Sequence, residues 1–238
     1  MKFEDLEIAV LKGGIFLPIH RLQKQYLALK KADVLDTIAE SIKEEPFGPF
    51  SFTPLIVEDD GEEQVQIKAT GELDIQFTLH SAGISFSAQR ISWSEKEKFL
   101  PTIPVAYSNL KESLSAGVWT RMGLELVCLL PKSKTNALKV LEDKISPISR
   151  KEPRGLITPQ AKFLDIDLKF LVKDGDYTSK LRVTTYEIDD TSRIVVIMDV
   201  QAEPSKNPQE TDLGSVQKQI WGKIQSTLTE FAPPLCVD

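Results

Sequence analysis

From Gly71 to Leu130 the chain alternates apolar and polar residues more regularly than anywhere else along its length. In GELDIQFTLH the apolar positions Leu73, Ile75, Phe77 and Leu79 interleave with Asp74, Gln76, Thr78 and His80, the period of two of a strand with one buried face. GISFSAQRI repeats the pattern with Ile84, Phe86 and Ala88, and the short HSAG between the two runs predicts an antiparallel hairpin with Gly83 in its turn. Ser94 and Glu97 fit a capping box that would start a helical turn at SEKEKF. Pro101 and Pro104 then interrupt or restart it, and Ile103, Tyr107, Leu110 and Leu114 recur at helical spacing as far as Gly117. Alternation returns in VWTRMGLELVCLLP, with Val118, Met122, Leu124, Leu126, Cys128 and Leu130 on one side of a long strand expected to be flanked by others.

The flanking segments extend this plan. EIAVL and GIFLPI, around Gly13 and Gly14, read as a strand pair or an irregular arm. RLQKQYLALKK reads as a basic amphipathic helix lying on its own core, and Asp33 as the cap of a helix carrying Leu35, Ile38, Ala39 and Ile42. FTPLIV and VQIKA read as strands joined by the acidic turn EDDGEE. Residues 132–160 form a basic, proline-containing connection with a short helix at TNALKVLEDKI. Beyond it KFLDIDLKFLV places Leu164, Ile166, Leu168, Phe170 and Val172 inward, KDGD turns at Gly175, and KLRVTTYEI and RIVVIMDV continue as strands. A last helix carries Leu213, Val216, Ile220, Ile224, Leu228 and Phe231 on one stripe. The expected fold is α+β, an antiparallel sheet with helices packed on one face. A strands-then-helix unit occurs twice, in halves 1–131 and 161–238, which can share one continuous domain.

Composition narrows the class without choosing a function. A hydrophobic share of 41% and a charged share of 27% are ordinary for a soluble globular protein. No run approaches the roughly 18 apolar residues of a membrane span, and MKFEDLEIAV carries acids where a signal peptide has a basic lead. A cytoplasmic protein with no membrane partner is expected. Two cysteines, Cys128 and Cys236, suit a reducing compartment, and a net charge of -6 disfavours nucleic acid as a partner.

Candidate chemistry is sparse. The chain has no Walker loop, GxGxxG, CxxC, HExxH or GxSxG motif, and its two histidines, His20 and His80, leave little for a triad or a zinc site. No cofactor is expected. Trp119, Arg121 and Glu125 share the phase of the long strand opposite Met122 and Leu124, with Gly123 among them, and form the candidate ligand or partner site. Asp165 and Asp167 share a strand face and could hold a divalent metal, with Asp199 as a further carboxylate. Lys132, Lys134, Arg150, Lys151 and Arg154 are the candidate anion contacts.

WSEKEKFLPTIPVAYSNLKESL followed by RMGLELV resembles an uncharacterised family of bacterial proteins, over roughly residues 70–231. There a strand, an aromatic residue near a helix start, a helix and an R-x-G-L-type strand come in this order, and an apolar strand ending in Asp (here Asp199) precedes a final helix. The resemblance implies a fold and no activity. The expected function is a non-enzymatic cytoplasmic binding or assembly protein. The alternatives are a holdase-type chaperone, by fold analogy, and a metal-dependent enzyme using strand carboxylates. Long strands need their edges covered, so a homo-oligomer is expected, or else a monomer whose second half supplies the missing edge. A protein partner fits the same reading.

Overall fold

The computed structural model describes residues 6–16, 52–59, 62–70, 74–80, 83–113, 118–131, 136–141, 167–188, 191–203 and 212–236. Its strands are β1 (Glu7–Phe16), β2 (Phe52–Asp59), β3 (Glu62–Thr70), β4 (Asp74–His80), β5 (Gly83–Ile91), β6 (Arg121–Leu129), β7 (Asp167–Asp174), β8 (Tyr177–Ile188) and β9 (Thr191–Ala202). Its helices are α1 (Lys96–Phe99), α2 (Thr102–Ser113) and α3 (Leu213–Phe231), and residues 137–141 are helical behind an Asn136 side chain that accepts from the Leu138 amide at 2.9 Å. The strands form one nine-stranded sheet in the order β2-β3-β4-β5-β1-β6-β9-β8-β7, with antiparallel neighbours throughout. This is the α+β architecture expected from the alternation. β6 and β9 pair from Met122 with Ala202 to Leu129 with Val195, which joins the two halves of the chain in one sheet.

One face of the sheet carries the core. Leu11 and Ile15 of β1, Phe86 and Ala88 of β5, Met122, Leu124, Leu126 and Cys128 of β6, and Val196, Met198 and Val200 of β9 are all buried on it. The spacing from Ile8 to Leu11 breaks the period of two, and a register shift between Ile8 and Val10 restores it by bulging the strand. Arg90, at φ 54°, does the same for Ile91 on the neighbouring strand. Over this face α2 sits on β1 and β5, burying Ile103 and Ala106, and α3 sits on β6 and β9, burying Val216, Ile220, Ile224 and Leu228. Asp212 caps α3 by accepting from the Ser215 amide at 2.8 Å. Trp93 and Trp221, ring centroids 5.4 Å apart, tie α3 to the segment before α1, with the Lys96 ammonium 5.2 Å from the Trp93 ring centroid.

Several expectations change in detail. The N-terminal segment is a single ten-residue strand running through Gly13 and Gly14, because β5 and β6 pair along both of its edges. The capping interaction lies two residues earlier than Ser94 and Glu97. The Glu95 carboxylate accepts from the Ser92 amide at 2.6 Å and the Ser92 hydroxyl at 2.7 Å, and these bonds hold its pKa below the usual carboxylate value. The long strand starts at Arg121, later than Val118. Phe170 and Val172 are not inward: they are 46% and 57% exposed, because β7 is the last strand of the sheet and α3 lies over β6 and β9. Gly175, at φ 57°, makes the expected turn between β7 and β8. The helices expected over residues 21–42 and most of the 132–160 connection lie outside the described residues.

Candidate functional site

No described helix packs on the other face of the sheet. Its centre is built by residues one step out of phase with the core: Lys12, Gly14 and Phe16 of β1, Arg121, Gly123 and Glu125 of β6, Ser85 of β5, and Asp199 and Gln201 of β9. Register fixes their neighbours. Gly14 lies directly opposite Gly123, with Phe16 opposite Arg121 on one side of that pair and Lys12 opposite Glu125 on the other. Ser85 flanks Gly14, and Gln201 flanks Gly123. Two opposed glycines leave the floor without side chains, and the result is a depression of about 200 Å³.

The three central glycines have different reasons to be glycine. A Cβ on Gly13 would lie 2.0 Å from Ile103 Cδ1 and 2.8 Å from Leu124 Cδ2, so Gly13 exists to let α2 seat on the sheet. A Cβ on Gly123 would meet only Gln201 Cγ at 3.3 Å and the Val200 carbonyl oxygen at 3.7 Å, and the nearest atom for Gly14 is the Ile84 carbonyl oxygen at 3.3 Å. Glycine inside a strand costs about 0.5–1 kcal/mol relative to alanine, and it marks places where a ligand or another backbone comes close. On this face no described helix makes that approach.

The rim is charged on both sides. The Arg121 guanidinium stacks 3.8 Å from the Phe16 ring centroid, 3.4 Å from Gln201 Oε1 and 3.6 Å from Glu203 Oε1. Gln201 in turn donates to Asp199 at 2.9 Å, and the Lys180 ammonium lies 3.4 Å from that carboxylate. Arg121, Gln201, Asp199 and Lys180 thus form one chain of contacts that holds the far wall in place. Across the floor, Lys12 and Glu125 face each other in register without an ion pair among the described residues.

Of the residues picked out in the sequence, Arg121 and Glu125 stand on this face on either side of Gly123. Trp119 does not. It is 2% exposed and packs in the core, because the chain has not yet entered the strand there and the indole has a large apolar surface to hide. Glu125 lines the depression, whereas Arg121 stacks on Phe16 beside it; the depression also uses Lys12, Gly14, Phe16, Asp199 and Gln201, which lie far from Arg121 in sequence. The one local signal was Gly123 itself, a glycine on the polar phase of an otherwise well-formed strand.

The two described carboxylates, Asp167 and Asp199, are not brought together. Asp167 accepts from Arg182 at 2.7 Å and from Lys169 at 3.1 Å, and these cations hold its carboxyl below the usual range. Through β8 it is aligned with Val195, four residues from Asp199 and so about 13 Å along the strands. Among the described residues no group of three metal-ligating side chains is close enough to hold an ion. Asp165, Lys132, Lys134, Arg150, Lys151 and Arg154 lie outside the described residues. No helix among the described residues is long and apolar enough to cross a membrane. No protein-family model matches the chain, and no curated protein matches it.

Proposed function

We propose that the protein is a non-enzymatic binding and assembly component of the cytoplasm, which holds a segment of a partner protein on the sheet face that no described helix covers and works as a homo-oligomer. The observation that carries this reading is the opposed Gly14–Gly123 pair, a side-chain-free floor in mid-sheet between charged rims. A depression of this size accommodates one bulky side chain of the partner, and Lys12 and Glu125, which form no ion pair among the described residues, meet polar groups of its backbone or neighbouring side chains.

Probing an array of overlapping 15-residue peptides with the wild type and with Gly123→Leu tests this. The Cβ of a leucine at 123 meets the Gln201 side chain first, at 3.3 Å, and the rest of the side chain is expected to occupy the depression. The wild type is expected to bind a subset of peptides that Gly123→Leu does not; equal binding by both, or none by either, contradicts the reading.

A holdase activity is the second reading, favoured by Phe170, Leu171 and Val172 exposed along one edge strand. It requires suppression of aggregation of a chemically unfolded client at equimolar protein. The metal-enzyme reading requires a rise in melting temperature with millimolar Mg²⁺, Mn²⁺ or Zn²⁺.

A further inference from the structure

The edge strand β7, Asp-Leu-Lys-Phe-Leu-Val-Lys-Asp from Asp167 to Asp174, is exposed along nearly its whole length. Phe170, Leu171 and Val172 are 46%, 69% and 57% exposed, on both faces of the strand. Among the described residues β7 pairs with β8 alone, and no described strand lies along its other edge. An exposed edge strand with Phe, Leu and Val at its centre and no described neighbour is the kind that recruits another strand.

We propose that β7 pairs antiparallel with β7 of a second copy of this chain, in the register that places Phe170 opposite its own copy. The inference rests on the self-assembly part of the reading above and names its surface. Antiparallel pairing of identical edges needs a two-fold axis normal to the sheet, so the helix-covered faces of both copies stay on the same side and residues of equal facing meet. Within Asp167–Asp174 two such registers give the longest overlap, one centred on Phe170 and one on Leu171.

Charge chooses between them. Centred on Leu171, Lys169 would stand opposite Lys173 twice and Leu168 opposite Asp174, and like charges directly opposed destabilise a strand pair. Centred on Phe170, Asp167 meets Lys173 twice, Leu168 meets Val172, and Leu171 covers the stem of Lys169. Lys173 makes no ion pair among the described residues, so its ammonium is available for that contact. On the helix-covered face each Phe170 already stands edge-on to Phe231 at the end of α3, centroids 6.2 Å apart. The two-fold brings both pairs together as one apolar cluster over a continuous sheet of twice nine strands.

The test combines mass and cross-linking. Light scattering at micromolar concentration is expected to give twice the 26.7 kDa chain mass. Leu171→Lys changes an exposed side chain and would set it against Lys169 of the other copy, so it is expected to give the single-chain mass with an unchanged circular dichroism spectrum. In a Cys236→Ser background, where the remaining Cys128 is buried, Phe170→Cys is expected to oxidise to a disulfide-linked dimer far faster than Leu171→Cys. A wild-type mass of 26.7 kDa overturns both the pairing and the self-assembly on which it rests. A dimer that survives Leu171→Lys, or one that cross-links faster through Leu171→Cys, overturns the proposed pairing alone.

Discussion

Gly13 and Gly123 stand on neighbouring strands one register step apart, and the same substitution is expected to act oppositely at the two. Gly13→Ala drives a methyl into Ile103 and Leu124, both fully buried, and overpacking of that kind costs about 1–3 kcal/mol. Gly123→Ala makes one tight contact, 3.3 Å to Gln201 Cγ, which a shift of a few tenths of an ångström in that side chain relieves, and is expected to leave stability within about 0.5 kcal/mol of the wild type. Urea denaturation of the two variants checks this; equal losses would mean that Gly123 also serves the core. Cys128 gives a second expectation at this scale. Burial pushes its thiol up to about 12, so it holds almost no thiolate at neutral pH. A thiol reagent should label only Cys236 in the native protein and both cysteines in denaturant. What alternation could convey about single residues was their face: Arg121 and Glu125 are where their phase put them. It could not convey that Trp119 precedes the strand, because period two runs on past the point where pairing begins. Nor could it convey that Gly14 lies opposite Gly123, since register between strands more than a hundred residues apart is a property of the fold.

At the scale of elements, strands and helices whose apolar residues recur strictly were legible: β5, β9 and α3 appear where periodicity placed them, and β6 begins three residues later than Val118. β1 was obscured by its two glycines and by the bulge that breaks its alternation near Ile8. The role of β7 was obscured because an edge strand keeps the alternation of a buried one, and only its position in the sheet exposes Phe170 and Val172. The turn from β7 to β8 is pinned to α3 by Lys223, which donates to Asp174 at 2.6 Å and holds that carboxyl below its ordinary value of 3.8. A carboxylate with a lowered folded pKa contributes stability above its unfolded pKa and loses that contribution as pH falls through the folded value. The melting temperature is therefore expected to drop as pH is lowered past 3.8. In Lys223→Met that drop should be smaller, with Asp167 and Asp212 still supplying their shares. A drop of the same size in the variant would show that the Asp174–Lys223 contact contributes nothing in solution.

The whole molecule separates its tasks by surface. Helices cover the centre of one face of the sheet, over β1, β5, β6 and β9, the centre of the other face carries the glycine floor, and one edge carries β7. The α+β class was legible from the order of strands and helices. The assignment of tasks was not, because it depends on β1 lying between β5 and β6, and on β9 rather than β7 joining the second half to the first. Binding and assembly should consequently be separable by mutation. The most direct measurement is a calorimetric titration of one array-selected peptide into wild type, Gly123→Leu and Leu171→Lys. The account predicts matching affinities for wild type and Leu171→Lys and loss of heat with Gly123→Leu. Unchanged binding by Gly123→Leu, or loss of binding confined to Leu171→Lys, would contradict it.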